Sequence, residues 1–251
     1  MGIEFSTYGL TIVIGAFILA VVDTSIGMFY GTLLTPLLIV CGYPPQIAVP
    51  TVLLSQIFVD FVGSTIHIQV KNVKRRDLRT AIIILVPSTI LSGIGAFVNI
   101  CIPPMWTKLY MTILLAVLGF LLLLGIRLKK SKKKLFLFSI LAGFNKGFIG
   151  GGFGPVIVSG QIMLNQDVKP SVAIGDLTKV FVCSIGVLVY FEFVKELMYD
   201  ILFATCVPAI IGALVGPHIT KKLKGREVSK VFAICLLLLS ALMIIKLKYN
   251  Y

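Results

Sequence analysis

Five ionisable side chains stand well inside apolar sequence, away from any segment end: Asp23, Asp60, Lys146, Asp176 and Lys179. A charge at the centre of a hydrocarbon layer costs about 2.5 to 3.5 kcal/mol on insertion scales, so such residues face an interior and mark a pathway. Asp176 and Lys179 lie three apart, on one helical face, where they can neutralise each other. If Lys179 or Lys146 instead faces a cavity, it supplies the countercharge for a bound anion. Asp23, Asp60 and Asp176 are then the candidates for taking up a coupling proton. His67, close to a basic loop, reads as an interfacial residue more than as a proton relay. Ser55, Gln56, Thr24, Ser25, Thr32 and Thr35 can equally hydrogen-bond neighbouring helices.

The second chemical signal is glycine. The stretch GFNKGFIGGGFGP (143–155) sits inside an apolar segment. A helix broken within a membrane exposes backbone groups that need partners, which is tolerable only in protein or beside a polar cavity. Glycine permits the turn and a close approach of ligand to backbone. A helix restarting after the break offers N–H groups and the positive end of its dipole to a small anion. The candidate substrate-binding residues are Gly27, Tyr30, Gly31 and Thr32 in a first turn, and Asn145, Lys146, Gly150, Gly151, Gly152, Gly154 and Ser159 in a second, with Lys179 as a further countercharge. The competing reading is that these glycines only let helices pack closely.

The elements that must position these groups are membrane helices. The 251-residue chain is 58% hydrophobic and 13% charged, which predicts an all-α integral membrane protein with no soluble domain. Residues 8–22 follow no basic n-region and precede no small-residue cleavage site, so they are expected to belong to the mature structure. The cysteines Cys41, Cys101, Cys183, Cys206 and Cys235 lack CxxC spacing and read as packing residues; neither metal nor cofactor is expected. The net charge of +13 lies in loops 71–79, 127–134 and 221–230, the pattern of cytoplasmic loops and not of nucleic-acid binding. Trp106, Tyr110 and Tyr199 fall where interfacial anchors belong.

Apolar periods divide the chain into residues 8–41, 46–69, 80–100, 105–126, 135–165, 170–191, 197–218 and 229–247. Single crossings would leave one basic loop outside. If the over-long segments 8–41 and 135–165 are helical hairpins, all three loops become cytoplasmic and the loop 192–200 external. SIGMFYGTLLT (25–35) aligns with FIGGGFGPVIV (148–158), and PPQIAVPTVLL (44–54) with KPSVAIGDLTK (169–179). The expected plan is two inverted repeats, 1–127 and 128–251, each a glycine-broken hairpin plus three transmembrane helices, as in many secondary transporters.

DTSIGMFYGTLLTPLL (23–38) and GYPPQIAVPTVLLSQ (42–56) resemble the first-half signature of the sulfite exporter (TauE/SafE-type) membrane permease family, and GGGFGPVIVSGQ (150–161) with KPSVAIGD (169–176) is similar to its second-half counterpart. The resemblance covers nearly the whole chain. It implies movement of small sulfur-containing oxyanions or organosulfonates, commonly sulfite, across the cytoplasmic membrane; the lipid bilayer and, through the buried aspartates, protons are the further partners to expect. A passive anion channel is the nearest alternative. An intramembrane enzyme fits less well, since AIGD (173–176) lacks the first glycine of GxGD and no GxSxG elbow occurs. No GxxxxGK[ST] motif points to ATP-driven pumping.

Overall fold

A computed structural model of the chain describes residues 5–125, 128–194, 199–220 and 225–249. The described residues form ten α-helices: α1 (Phe5–Ile26), α2 (Tyr30–Val40), α3 (Pro45–Gln69), α4 (Leu78–Cys101), α5 (Pro104–Leu124), α6 (Lys132–Ile149), α7 (Phe153–Met163), α8 (Val168–Phe193), α9 (Tyr199–Ile219) and α10 (Gly225–Tyr249), with a short 3-10 turn at Arg75–Asp77 before α4. The chain is an all-α integral membrane protein, and among the described residues five helical stretches are long and apolar enough to cross a bilayer. Of the charged connections expected on the two sides, residues 127, 195–198 and 221–224 lie outside the described residues.

Local sequence sets the ends. Proline opens α3 and α5, where its missing N–H is no loss. Ser131 caps α6 by accepting from the Lys134 amide, and Gly125 closes α5 in the left-handed region. Both over-long apolar segments are pairs of helices meeting at a glycine turn. Gly27 (φ +81°) separates α1 from α2, and Gly150 (φ +70°) and Gly152 (φ +78°) separate α6 from α7, values that favour glycine at each position. With eleven residues each, α2 and α7 reach roughly 16 Å at 1.5 Å per residue, too short to span the hydrocarbon.

Small residues bring the backbones together. Gly143 and Gly147 of α6 lie against Ser88 and Ser92 of α4, while Gly212 and Gly216 of α9 lie against Phe17 and Thr24 of α1. Between these pairs α3 packs on α8, α3 reaching α9 and α8 reaching α4, and elsewhere α5 packs on α10. Tyr30, Ile149, Phe153 and Val172 fill the interior, whereas Phe61, Ile90, Phe120, Leu188, Phe203 and Leu238 face outward and form an apolar surface suited to lipid.

Candidate functional site

Helices α1, α3 and α8 bring three carboxylates onto one ammonium. Lys179 Nζ lies 2.7 Å from Asp23 Oδ2, 2.9 Å from Asp60 Oδ1 and 3.1 Å from Asp176 Oδ1, and none of the four side chains is more than 2% exposed. The i,i+3 pair legible in the sequence is therefore one edge of a larger cluster. Gly63 makes the approach of α3 possible, since a Cβ there would lie 2.7 Å from Thr24 Cγ2 and 3.2 Å from Asp176 Oδ2. Oxygens of the three carboxylates lie within 4.8 Å of one another, a spacing that suits a metal ion. Lys179 supplies the positive charge there instead, its Nζ within ion-pair reach of all three.

Asp23 has a second task. Its Oδ1 accepts from the amides of Phe29 (2.6 Å) and Tyr30 (3.0 Å), so the first amides of α2, expected to await a foreign anion, hold the chain's own carboxylate. Gln56 continues the network: its Nε2 donates to Asp23 Oδ2 at 3.4 Å and its Oε1 accepts from Lys146 Nζ. Lys146 Nζ also donates to the Gly150 carbonyl at 2.9 Å, at the negative end of α6. Asp23 stands four residues before Gly27, and Lys146 stands four before Gly150. These two positions before the glycine turns thus carry opposite charge: a carboxylate accepts the first amides of α2, and an ammonium donates to the carbonyl that closes α6.

The two glycine turns touch each other. A Cβ on Gly31 would lie 2.3 Å from the Gly150 carbonyl oxygen, and one on Gly154 would lie 1.9 Å from that of Gly27. Gly151 packs on the backbone of Thr32, whose Oγ1 accepts from the Gly152 amide at 3.1 Å. Next to Gly152, Asn145 accepts from the Tyr110 hydroxyl at 2.5 Å through Oδ1, while its buried Nδ2 has no hydrogen-bond partner among the described residues. The Thr35 hydroxyl beside Gly150 likewise lacks one. Among the described residues the Ser159 hydroxyl meets Met28 Sδ, at 3.5 Å, and the Tyr30 hydroxyl sits 3.1 Å from Ser55 Oγ. All the turn residues singled out from sequence are buried at this crossing.

The carbonyls left over where α1 and α6 stop are also matched. Those of Thr24 and Ser25 face His67 Nε2 (2.9 Å) and the Thr220 hydroxyl (3.0 Å), and those of Gly147 and Phe148 accept from the Tyr190 hydroxyl (3.1 Å) and Asn99 Nδ2. His67, expected at the interface, is completely buried. Asn72 Nδ2 donates both to His67 Nδ1 (2.8 Å) and to the Pro217 carbonyl (3.0 Å). A carbonyl can only accept, so it fixes the Asn72 amide, which makes Nδ1 an acceptor and puts the ring hydrogen on Nε2. That hydrogen faces the Thr24 carbonyl, with Asp176 Oδ2 at 3.4 Å. Distance along the chain from the basic loop misleads here. The usable signal is the spacing of Gln56, Asp60, Gly63 and His67, which follows one face of α3. Tyr110, expected as an anchor alone, also turns inward to Asn145, whereas Trp106 and Tyr199 are exposed. Among the cysteines, Cys183 and Cys206 are buried as expected, but Cys41 and Cys101 are exposed.

Compared with known proteins, residues 12–243 match the family model described as Sulfite exporter TauE/SafE. The chain is 30% identical over 146 residues to a protein of Bacillus subtilis (strain 168) named "Probable membrane transporter protein YtnM". That alignment takes in 54% of this chain and 48% of the relative, so the match spans about half the length of the curated protein. No solved structure matches the chain.

Proposed function

The chain belongs to the sulfite exporter TauE/SafE family, and from that premise we propose that it is a secondary transporter moving a small sulfur-containing anion such as sulfite, thiosulfate or an organosulfonate across the cell membrane. The observation that carries this reading is the buried charge cluster where two broken helices cross. An anion binds at the opening of α7, where Lys146 supplies charge and Asn145 Nδ2 a spare donor, with Lys179 and the carboxylates one hydrogen-bonded step away through Gln56. Sites on broken helices near the midplane are how many transporters hold a small ion.

Two inverted repeats, 1–127 and 128–251, support alternating access. Exchanging the halves turns the packing of α4 on α6 into that of α9 on α1, and turns α4 on α8 into α9 on α3. It also turns the contact of Gly31 with Gly150 into that of Gly154 with Gly27. In this reading the loops 71–79, 127–134 and 221–230 face the cytoplasm. Residues 150–161 are all buried, which favours an occluding carrier over an open channel.

The test is uptake of sulfite by proteoliposomes holding the purified chain, with thiosulfate, a short organosulfonate and sulfate as competitors. Saturable uptake that the sulfur anions inhibit is expected. Uptake of none of them would overturn the substrate class.

A further inference from the structure

Resting on that reading of the cluster, we propose that Asp60 is its proton-binding residue, carrying one proton in the conformation seen here so that the anion and the proton travel together.

The charges of the cluster do not balance. Asp23, Asp60 and Asp176 face two ammonium groups, Lys146 and Lys179, and all five residues are at most 2% exposed. His67 adds no charge, because Asn72 fixes it as a neutral ring. Fully ionised, the group would hold one uncompensated negative charge away from water, a state that proteins relieve by binding a proton. A single proton makes the cluster neutral.

The neighbours of each carboxylate select the site of that proton. Asp23 is supported as an anion by the Phe29 and Tyr30 amides, by Lys179 and by Gln56. Asp176, like Asp60, has no hydrogen bond on either oxygen among the described residues, but beside Lys179 at 3.1 Å it has the Nε2–H of His67 at 3.4 Å as a second, partly positive neighbour. Asp60 has Lys179 at Oδ1 alone, and its Oδ2 has neither a hydrogen bond nor an ion pair among the described residues. A proton on Oδ2 leaves Oδ1 facing Lys179 at 2.9 Å, so neutral Asp60 fits the observed geometry without rearrangement. The ionisable groups facing it are Asp23 on α1, Lys146 on α6, and Asp176, Lys179 and the buried thiol of Cys183 on α8, with His67 further along α3.

Coupling follows from the same balance. With a monovalent anion bound, the group holds one uncompensated negative charge when Asp60 keeps its proton and two when it has lost it, so loss of the Asp60 proton weakens anion binding and, reciprocally, a bound anion holds the proton on Asp60.

Infrared spectroscopy of the purified full chain at neutral pH reads the proton directly, without any substrate. The expected spectrum contains the carbonyl band of a buried protonated carboxyl group that vanishes in Asp60→Asn and persists unshifted in the charge-conserving variants Asp23→Glu and Asp176→Glu. Persistence in Asp60→Asn, or absence from the wild type, would overturn the assignment. If Asp60→Asn does not fold, the other two variants decide, because loss or a shift of the band in either of them contradicts the proposal. In proteoliposomes, whatever sulfite flux Asp60→Asn retains should be equal with and without a pH gradient; a gradient-driven flux in that variant would also overturn it. A wild type that carries no anion but shows the band would refute the transport reading and leave the proton site standing.

Discussion

Lys179 is the residue on which the cluster depends. Replacing it with alanine leaves three buried carboxylates without their shared partner, and breaking a buried ion pair from one side costs about 3 to 5 kcal/mol. Lys179→Ala should therefore lower the thermal unfolding temperature in detergent as well as transport, and a variant as stable as the wild type would show that the ion pairs are dispensable. Lys146 differs, since it is held by Gln56 and one carbonyl and no carboxylate lies within ion-pair distance of it among the described residues. Lys146→Met should reduce anion affinity more than stability, read as a raised KM for sulfite uptake; an unchanged KM would remove Lys146 from the binding site. At this scale the sequence displayed the ionisable residues and the Asp176–Lys179 spacing. It could not display that Asp23, 156 residues away from Lys179, closes the same ion pair, because that contact depends on how α1 packs on α8. His67 was hidden for a related reason: its place beside Thr24 depends on α3 crossing α1, not on its distance from the basic loop.

At the scale of elements, the broken helices were legible from two features together, an apolar segment too long for one crossing and a glycine run inside it. Their contact with each other was not, since nothing in either turn names its partner. That contact makes a sharp prediction. Gly154→Ala must push backbone against backbone at the crossing, an overpacking that costs about 1 to 3 kcal/mol or more, and it should abolish sulfite uptake. Gly15→Ala, in α1 with nothing within 4 Å of the added carbon, should be neutral or slightly stabilising by about 0.5 to 1 kcal/mol. Thermal unfolding and uptake of the two variants side by side check this; equal behaviour would mean that the crossing tolerates a methyl group and is not the close contact described.

For the whole molecule, the charge of the loops predicts orientation, and two native cysteines make it measurable. Cys41 ends α2 and Cys101 ends α4, both exposed and on the side opposite the basic loops in the proposed topology, whereas Cys183 and Cys206 are buried. A membrane-impermeant thiol reagent applied to intact cells should label Cys41 and Cys101 and spare the buried pair; labelling of these two only after the membrane is opened would invert the topology. The account as a whole joins an occluding crossing of two broken helices to a buried cluster that balances anion against proton. Its most direct test is net sulfite flux into proteoliposomes at zero membrane potential, with and without an imposed pH gradient, for the wild type and for Gly154→Ala. Saturable flux driven by the gradient and lost in the variant is the predicted result. Flux that ignores the gradient, rises without saturation or survives Gly154→Ala would contradict it.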